Sequence, residues 1–178
     1  MVIQQGRRSI GGKKPNQTSI KRMNRSSALE MYKEPAIELA AIALHDKKQR
    51  SSKRCLRQRL HAIHLLGMVD CRQSRTAEIL FAALHDKHGT IRGYAARSIG
   101  RLGLIEAQEH IEARLLKSRQ STPEQNEWVI RRLIEALGKV GSRESIDVLE
   151  PYIIHEKTRI RRRTREAIAE IERRFDLT

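Results

Sequence analysis

The pentapeptide Ala43-Leu44-His45-Asp46-Lys47 recurs letter for letter as Ala83-Leu84-His85-Asp86-Lys87, 40 residues later. An internal repeat restricts the fold more than composition does, because each unit must bury its apolar face on its neighbours. Around the second copy, an apolar helix ends at Leu84 and a polar turn runs from Asp86 to Thr90. Ile91, Ala95, Ala96 and Ile99 then recur at helical spacing. Gly100 and Gly103 read as the close of this second helix. The same glycine returns in Leu65-Leu66-Gly67 and Ala136-Leu137-Gly138, at intervals of 33 and 38 residues, the longer interval holding an inserted loop at Gln120-Ser-Thr-Pro-Glu124. Paired helices at a period of about 30–45 residues predict an all-α fold, a right-handed α-solenoid of about four helical pairs.

The pairs occupy residues 27–178, one domain's length. Aromatics make up only 3% of the chain, so Ala, Leu and Ile must fill the interior. Leu66, Ile99 and Leu137, one per second helix, are expected at the interfaces between pairs. Ser142 is expected to cap a first helix over 143–154. Residues 1–26 differ from the rest. They carry Arg7, Arg8, Lys13, Lys14, Lys21, Arg22 and Arg25 and no acid, which predicts a disordered basic arm. No run of about 20 apolar residues is present, so no membrane span is expected. The N-terminus lacks the apolar core of a secretory signal. Cys55 and Cys71 have neither metal-ligand spacing nor the pattern of a disulfide framework. A cytoplasmic location is expected.

Asp86, Ile91-Arg92, Ala95-Ala96 and Ile99-Gly100 resemble the HEAT family, especially the short phycobilisome-lyase HEAT-like repeat of bacteria and archaea. Asp46 with Leu56-Arg57, and Glu156 with Ile160-Arg161, match more loosely. The third repeat departs, with Ser118 in place of the acid and Ile130 in place of the arginine. The resemblance covers about residues 35–174. It implies that the turn acid and helix arginine, here Asp86 and Arg92, form a structural ladder between repeats. It also implies that the second helices line the concave face.

Charge divides between the two helix sets. First helices at about 36–46, 75–86, 106–117 and 143–154 hold four basic residues and ten acids. Second helices at about 51–66, 90–102, 126–139 and 158–174 hold 17 basic residues and five acids. Like charges on one surface repel, so the asymmetry points to binding. The candidate contact residues are Arg54, Arg57, Arg59, Arg97, Arg101, Arg131, Arg132, Arg162 and Arg165. With a net charge of +15, the expected partner is acidic. An acidic protein held by a non-catalytic scaffold is the first reading. Nucleic acid held mainly through its phosphates is the alternative. Oligomeric state is left open.

No catalytic residue, metal ligand or cofactor is expected, and the chain is read as not an enzyme. Deoxyhypusine hydroxylase, a HEAT-like enzyme, carries His-Glu pairs early in its second helices. The corresponding positions here are Leu60-His61, Gly93-Tyr94 and Arg131-Arg132. HEAT-like alkylpurine DNA glycosylases need aromatics and an acid around the damaged base. Trp128 and Tyr94 are the comparable aromatics here, without an evident acid, and Trp128 is expected to pack or to contact the partner.

Overall fold

A computed structural model describes residues 37–38, 40–41, 53–69, 74–120 and 127–176. The expected arm at 1–26, the turn acid Asp46 and the loop around Pro123 lie outside these residues. Within them the chain is all α. The helices are α1 (Lys53–Met68), α2 (Ser74–Leu84), α3 (Gly89–Leu102), α4 (Gln108–Gln120), α5 (Glu127–Val140), α6 (Ser145–Leu149) and α7 (Thr158–Asp176). Short 3-10 turns at Ile105–Ala107 and Glu150–Tyr152 precede α4 and follow α6.

The helices form pairs: α2 with α3, α4 with α5, and α6 with α7. Ahead of α1, the helical residues Ile37 and Ala40 are fully buried in the common core. The second helices α1, α3, α5 and α7 pack successively against one another, whereas α2, α4 and α6 touch sparingly. The result is a solenoid with one tight layer and one splayed layer. Leu66, Ile99 and Leu137 sit in the tight layer with no exposed surface.

The recurring glycines are interior residues of this layer, which corrects their reading as helix terminators. Gly67, Gly100 and Gly138 all precede the last residue of their helices. A Cβ on Gly67 would come within 2.9 Å of the Ser98 Cα; one on Gly100 within 3.0 Å of the Ala136 Cα; one on Gly138 within 2.9 Å of the Ala167 Cα. Each glycine lets the next second helix approach its backbone. Gly103 is the terminator of α3, at φ 64°, with Leu104 N–H closing back on the Ile99 carbonyl at 3.3 Å. In α7 the equivalent of Gly100 is Ala169, and it is exposed. Alanine stands where no further helix packs against the described chain.

Two local expectations also change. The first helix of the last pair is short, because Pro151 has no N–H for the Asp147 carbonyl and its ring crowds that carbonyl. The backbone continues as a 3-10 turn. Ser142 is not the cap of α6. Its hydroxyl donates to Glu144 at 2.6 Å and accepts from Gln108 Nε2 at 3.0 Å, tying α4 to the next pair.

The ladder divides its work between two arginines. The Asp86 carboxylate accepts from Arg59 of the preceding pair and from the His88 N–H at 2.8 Å. Arg92 instead closes its own turn, donating to the Asp86 and Lys87 carbonyls at 2.8 and 3.0 Å. Arg161 repeats this two pairs on, donating to the His155 and Glu156 carbonyls at 2.8 and 2.9 Å. Arg59 is therefore no surface contact residue: it is completely buried. In the third repeat, where the acid is missing, the Ser118 and Tyr152 hydroxyls lie 2.7 Å apart and each 2.7 Å from the Leu115 carbonyl, so one donates to the carbonyl and the other either to the first hydroxyl or to the same carbonyl.

Candidate partner-binding face

The stacking register places equivalent residues of the second helices in rows. Three residues before the glycine position stand His64, Arg97, Glu135 and Glu166; six before it stand His61, Tyr94, Arg132 and Arg163. The residue after the glycine is Met68, Arg101, Lys139 or Glu170. Arg131 and Arg162 share a further row, seven before the glycine position, with Leu60 and Gly93.

The candidate arginines separate into two groups. Arg131 pairs with Glu127 at 3.6 Å, Arg132 with Glu135 at 2.7 Å and Arg162 with Glu166 at 3.5 Å, all within their own helices. Among the described residues, Arg57, Arg97, Arg101 and Arg165 have no such carboxylate and are exposed. The side chain of Arg54 lies outside the described ones. Neither α1 nor α3 contains a single Asp or Glu. Three of these four unpaired arginines thus lie on α1 and α3, so uncompensated positive charge gathers mainly on that half of the face, with Arg165 apart on α7.

Arg97 and Arg101 border a notch between α3 and α5. Its floor is Ala96, Gly100 and Ala136, and its far wall is Glu135 and Lys139. Lys139 was not among the sequence candidates. Its place directly after a stacking glycine, matching Arg101, was the signal that could have found it. Glu135 carries both Arg132 and Lys139, the latter at 3.8 Å. That leaves the Arg97–Arg101 wall as the electropositive side.

His64 stands beside this wall. Burial, followed by the charges of Arg97, Arg101 and His61, holds its imidazole below the usual histidine range. His85, on the other side of the solenoid, is lowered by burial and then by His110, Arg114 and Lys117. Both groups take up protons less readily when folded than when unfolded. As pH falls through about 6.5 the unfolded chain binds protons first, so their stabilising contribution is present above that pH and is lost below it. The midpoint of thermal unfolding should therefore fall on acidification from about pH 7.5 to about pH 5.5. A His64→Gln/His85→Gln variant should show a smaller fall. An unchanged fall would contradict this assignment.

Among the described residues, no group of three or more His, Cys, Asp or Glu side chains could hold a metal ion. None of the described helices is long and apolar enough to cross a membrane.

No family model and no curated protein matches the chain. Among solved structures, the chain is similar to the complex of CpcE and CpcF of phycocyanin lyase from Nostoc sp. PCC7120. The match has a TM-score of 0.65 at 17% identity and covers 97% of this chain and 71% of that one. The fold is thus of the HEAT-repeat type, shared with a phycocyanin lyase. This overturns the expectation that the chain is not an enzyme. The same architecture serves an enzyme, and a repeat fold does not by itself decide chemistry.

Proposed function

We propose that this HEAT-like protein binds an acidic partner protein through its second-helix layer, with the contacts centred on α1 and α3. The observation that carries the reading is the carboxylate-free pair of helices presenting Arg57, Arg97 and Arg101 to solvent. Surface arginines usually acquire acids at helical spacing, as Arg131, Arg132 and Arg162 do here. A partner can supply the acids that α1 and α3 lack. Complementary charge of this kind raises the association rate and selects partners. The similar fold occurs in a complex of two proteins, which supports a protein as the partner.

Poly-L-glutamate is a suitable probe. Arg97→Glu combined with Arg101→Glu should weaken its binding about tenfold or more at low salt. Arg162→Glu should change it less than about threefold, because Glu166 already screens that site. Equal effects of the two reversals would contradict the placement on α1–α3. Tighter binding of oligothymidylate than of poly-L-glutamate would favour a nucleic acid instead.

A further inference from the structure

The second-helix layer repeats its stacking contact from pair to pair but does not repeat the charge around it. At the α3–α5 step, the residues three before and one after the glycine position are Arg97, Arg101, Glu135 and Lys139, three cations against one carboxylate. The equivalent positions at the α5–α7 step are Glu135, Lys139, Glu166 and Glu170, three carboxylates against one cation. Ala96, on the floor of the first step, is replaced by the larger Ile134 in the second. Close approach of the helices requires the glycine and the small residue it meets, Ala136 or Ala167. It requires neither set of charges, so the cations of the α3–α5 notch are left without a packing role.

The notch is open. It holds about 260 Å³ of space, several times the ~30 Å³ that one water occupies in the liquid. Arg97, Arg101 and Lys139 are all exposed. The Lys139 stem crosses the floor, its Cδ 3.5 Å from where a Cβ on Gly100 would stand. Glu135 is engaged elsewhere. It accepts from Arg132 at 2.7 Å, and the Arg132 guanidinium rests 5.6 Å from the centroid of the Trp128 indole. Its 3.8 Å separation from Lys139 is too long for a hydrogen bond. Two guanidinium groups and an ammonium therefore border one void, and their donors face no carboxylate at hydrogen-bond distance.

We infer that the α3–α5 notch receives a phosphorylated side chain of the acidic partner, its oxygens shared by Arg97, Arg101 and Lys139. Charge balance selects this occupant. A carboxylate brings one negative charge and leaves the notch positive. A phosphomonoester brings about −1.5 to −2 at pH 7 and three strong acceptor oxygens. Guanidinium forks meet such oxygens two at a time. A nucleic-acid phosphodiester carries one charge per phosphate and matches the notch less well. The inference rests on the proposed acidic-protein reading and adds the modification that the partner carries at this point.

The test titrates two dye-labelled peptides with the full chain and follows their fluorescence anisotropy. Both have the same glutamate-rich flanks. One carries serine and phosphoserine at its centre and the other two glutamates, so their charges are about equal. The phosphopeptide should bind about tenfold more tightly. Lys139→Gln should reduce that preference to about twofold or less while changing the affinity for the glutamate peptide less than about threefold, because Lys139 is exposed and lies outside α1 and α3. Lys139→Arg should retain the preference. Circular dichroism checks that both variants keep their helices. Equal binding of the two peptides by the wild type would overturn the phosphoryl site and leave the arginine face standing. A preference that survives Lys139→Gln, or an equal loss for both peptides, would also overturn it. Tighter binding of oligothymidylate than of the phosphopeptide would overturn it in favour of a nucleic acid. Failure of both peptides to bind would remove the acidic-protein reading and the phosphoryl site together.

Discussion

Asp86→Ala will destabilise the protein by about 3–5 kcal/mol, measured by denaturant unfolding. The size of the effect follows from Arg59, which is completely buried and ion-paired with Asp86 across two helical pairs. Removing the carboxylate leaves a guanidinium charge inside the protein without that counterion. The same substitution removes the acceptor for the His88 N–H at the entry to α3. Arg59→Met in the Asp86→Ala background should recover part of the loss, because it withdraws the buried charge. Arg132→Ala is the control. Its pair with Glu135 is about one-quarter exposed, so its loss should cost about 0–1 kcal/mol. A loss of less than about 1 kcal/mol for Asp86→Ala would contradict an ion pair that holds neighbouring repeats together.

Gly138→Val will cost about 3 kcal/mol or more. A Cβ at that position meets the Cβ, Cα and carbonyl oxygen of Ala167 at 2.8, 2.9 and 3.4 Å. The obstruction is mostly backbone and cannot swing aside. Relief requires α7 to move away from α5, opening contacts around Ile160 and Ile171, both fully buried. Ala169→Val introduces the same side chain at the equivalent position of α7, which is exposed, and should change stability by less than about 1 kcal/mol. Similar losses for the two variants would show that close approach is not what the recurrent glycine serves.

The repeat was legible in the sequence because its period is written in apolar spacing and in a duplicated pentapeptide. Both survive without knowledge of the packing. The role of the glycines was less legible. A glycine kept for positive φ and one kept for close approach look alike in sequence, and both occur near the ends of these helices. Ala169 held the clue, since the glycine disappears in the last helix.

Arg59 shows a second limit. Charge counting grouped it with the surface arginines, although it shares its helical phase with Ile63 and Leu66, both buried. The phase was available in the sequence and marks Arg59 as interior. Arg92 and Arg161 similarly belong to turn closure, so part of the charge asymmetry between helix sets is structural. What remains, on α1 and α3, is a smaller and better-defined face. The convergence of Arg97, Arg101 and Lys139 on one notch could not be seen in the sequence, because it arises only when two repeats stack.

The most direct test of the central claim is an affinity purification of the tagged full chain from its native extract, before and after nuclease treatment. It would be run in parallel with Arg97→Glu and Arg162→Glu. An acidic protein should be retained after nuclease treatment, lost with Arg97→Glu and kept with Arg162→Glu. Release of all bound material by nuclease, or retention of the acidic protein by Arg97→Glu at the wild-type level, would contradict the account.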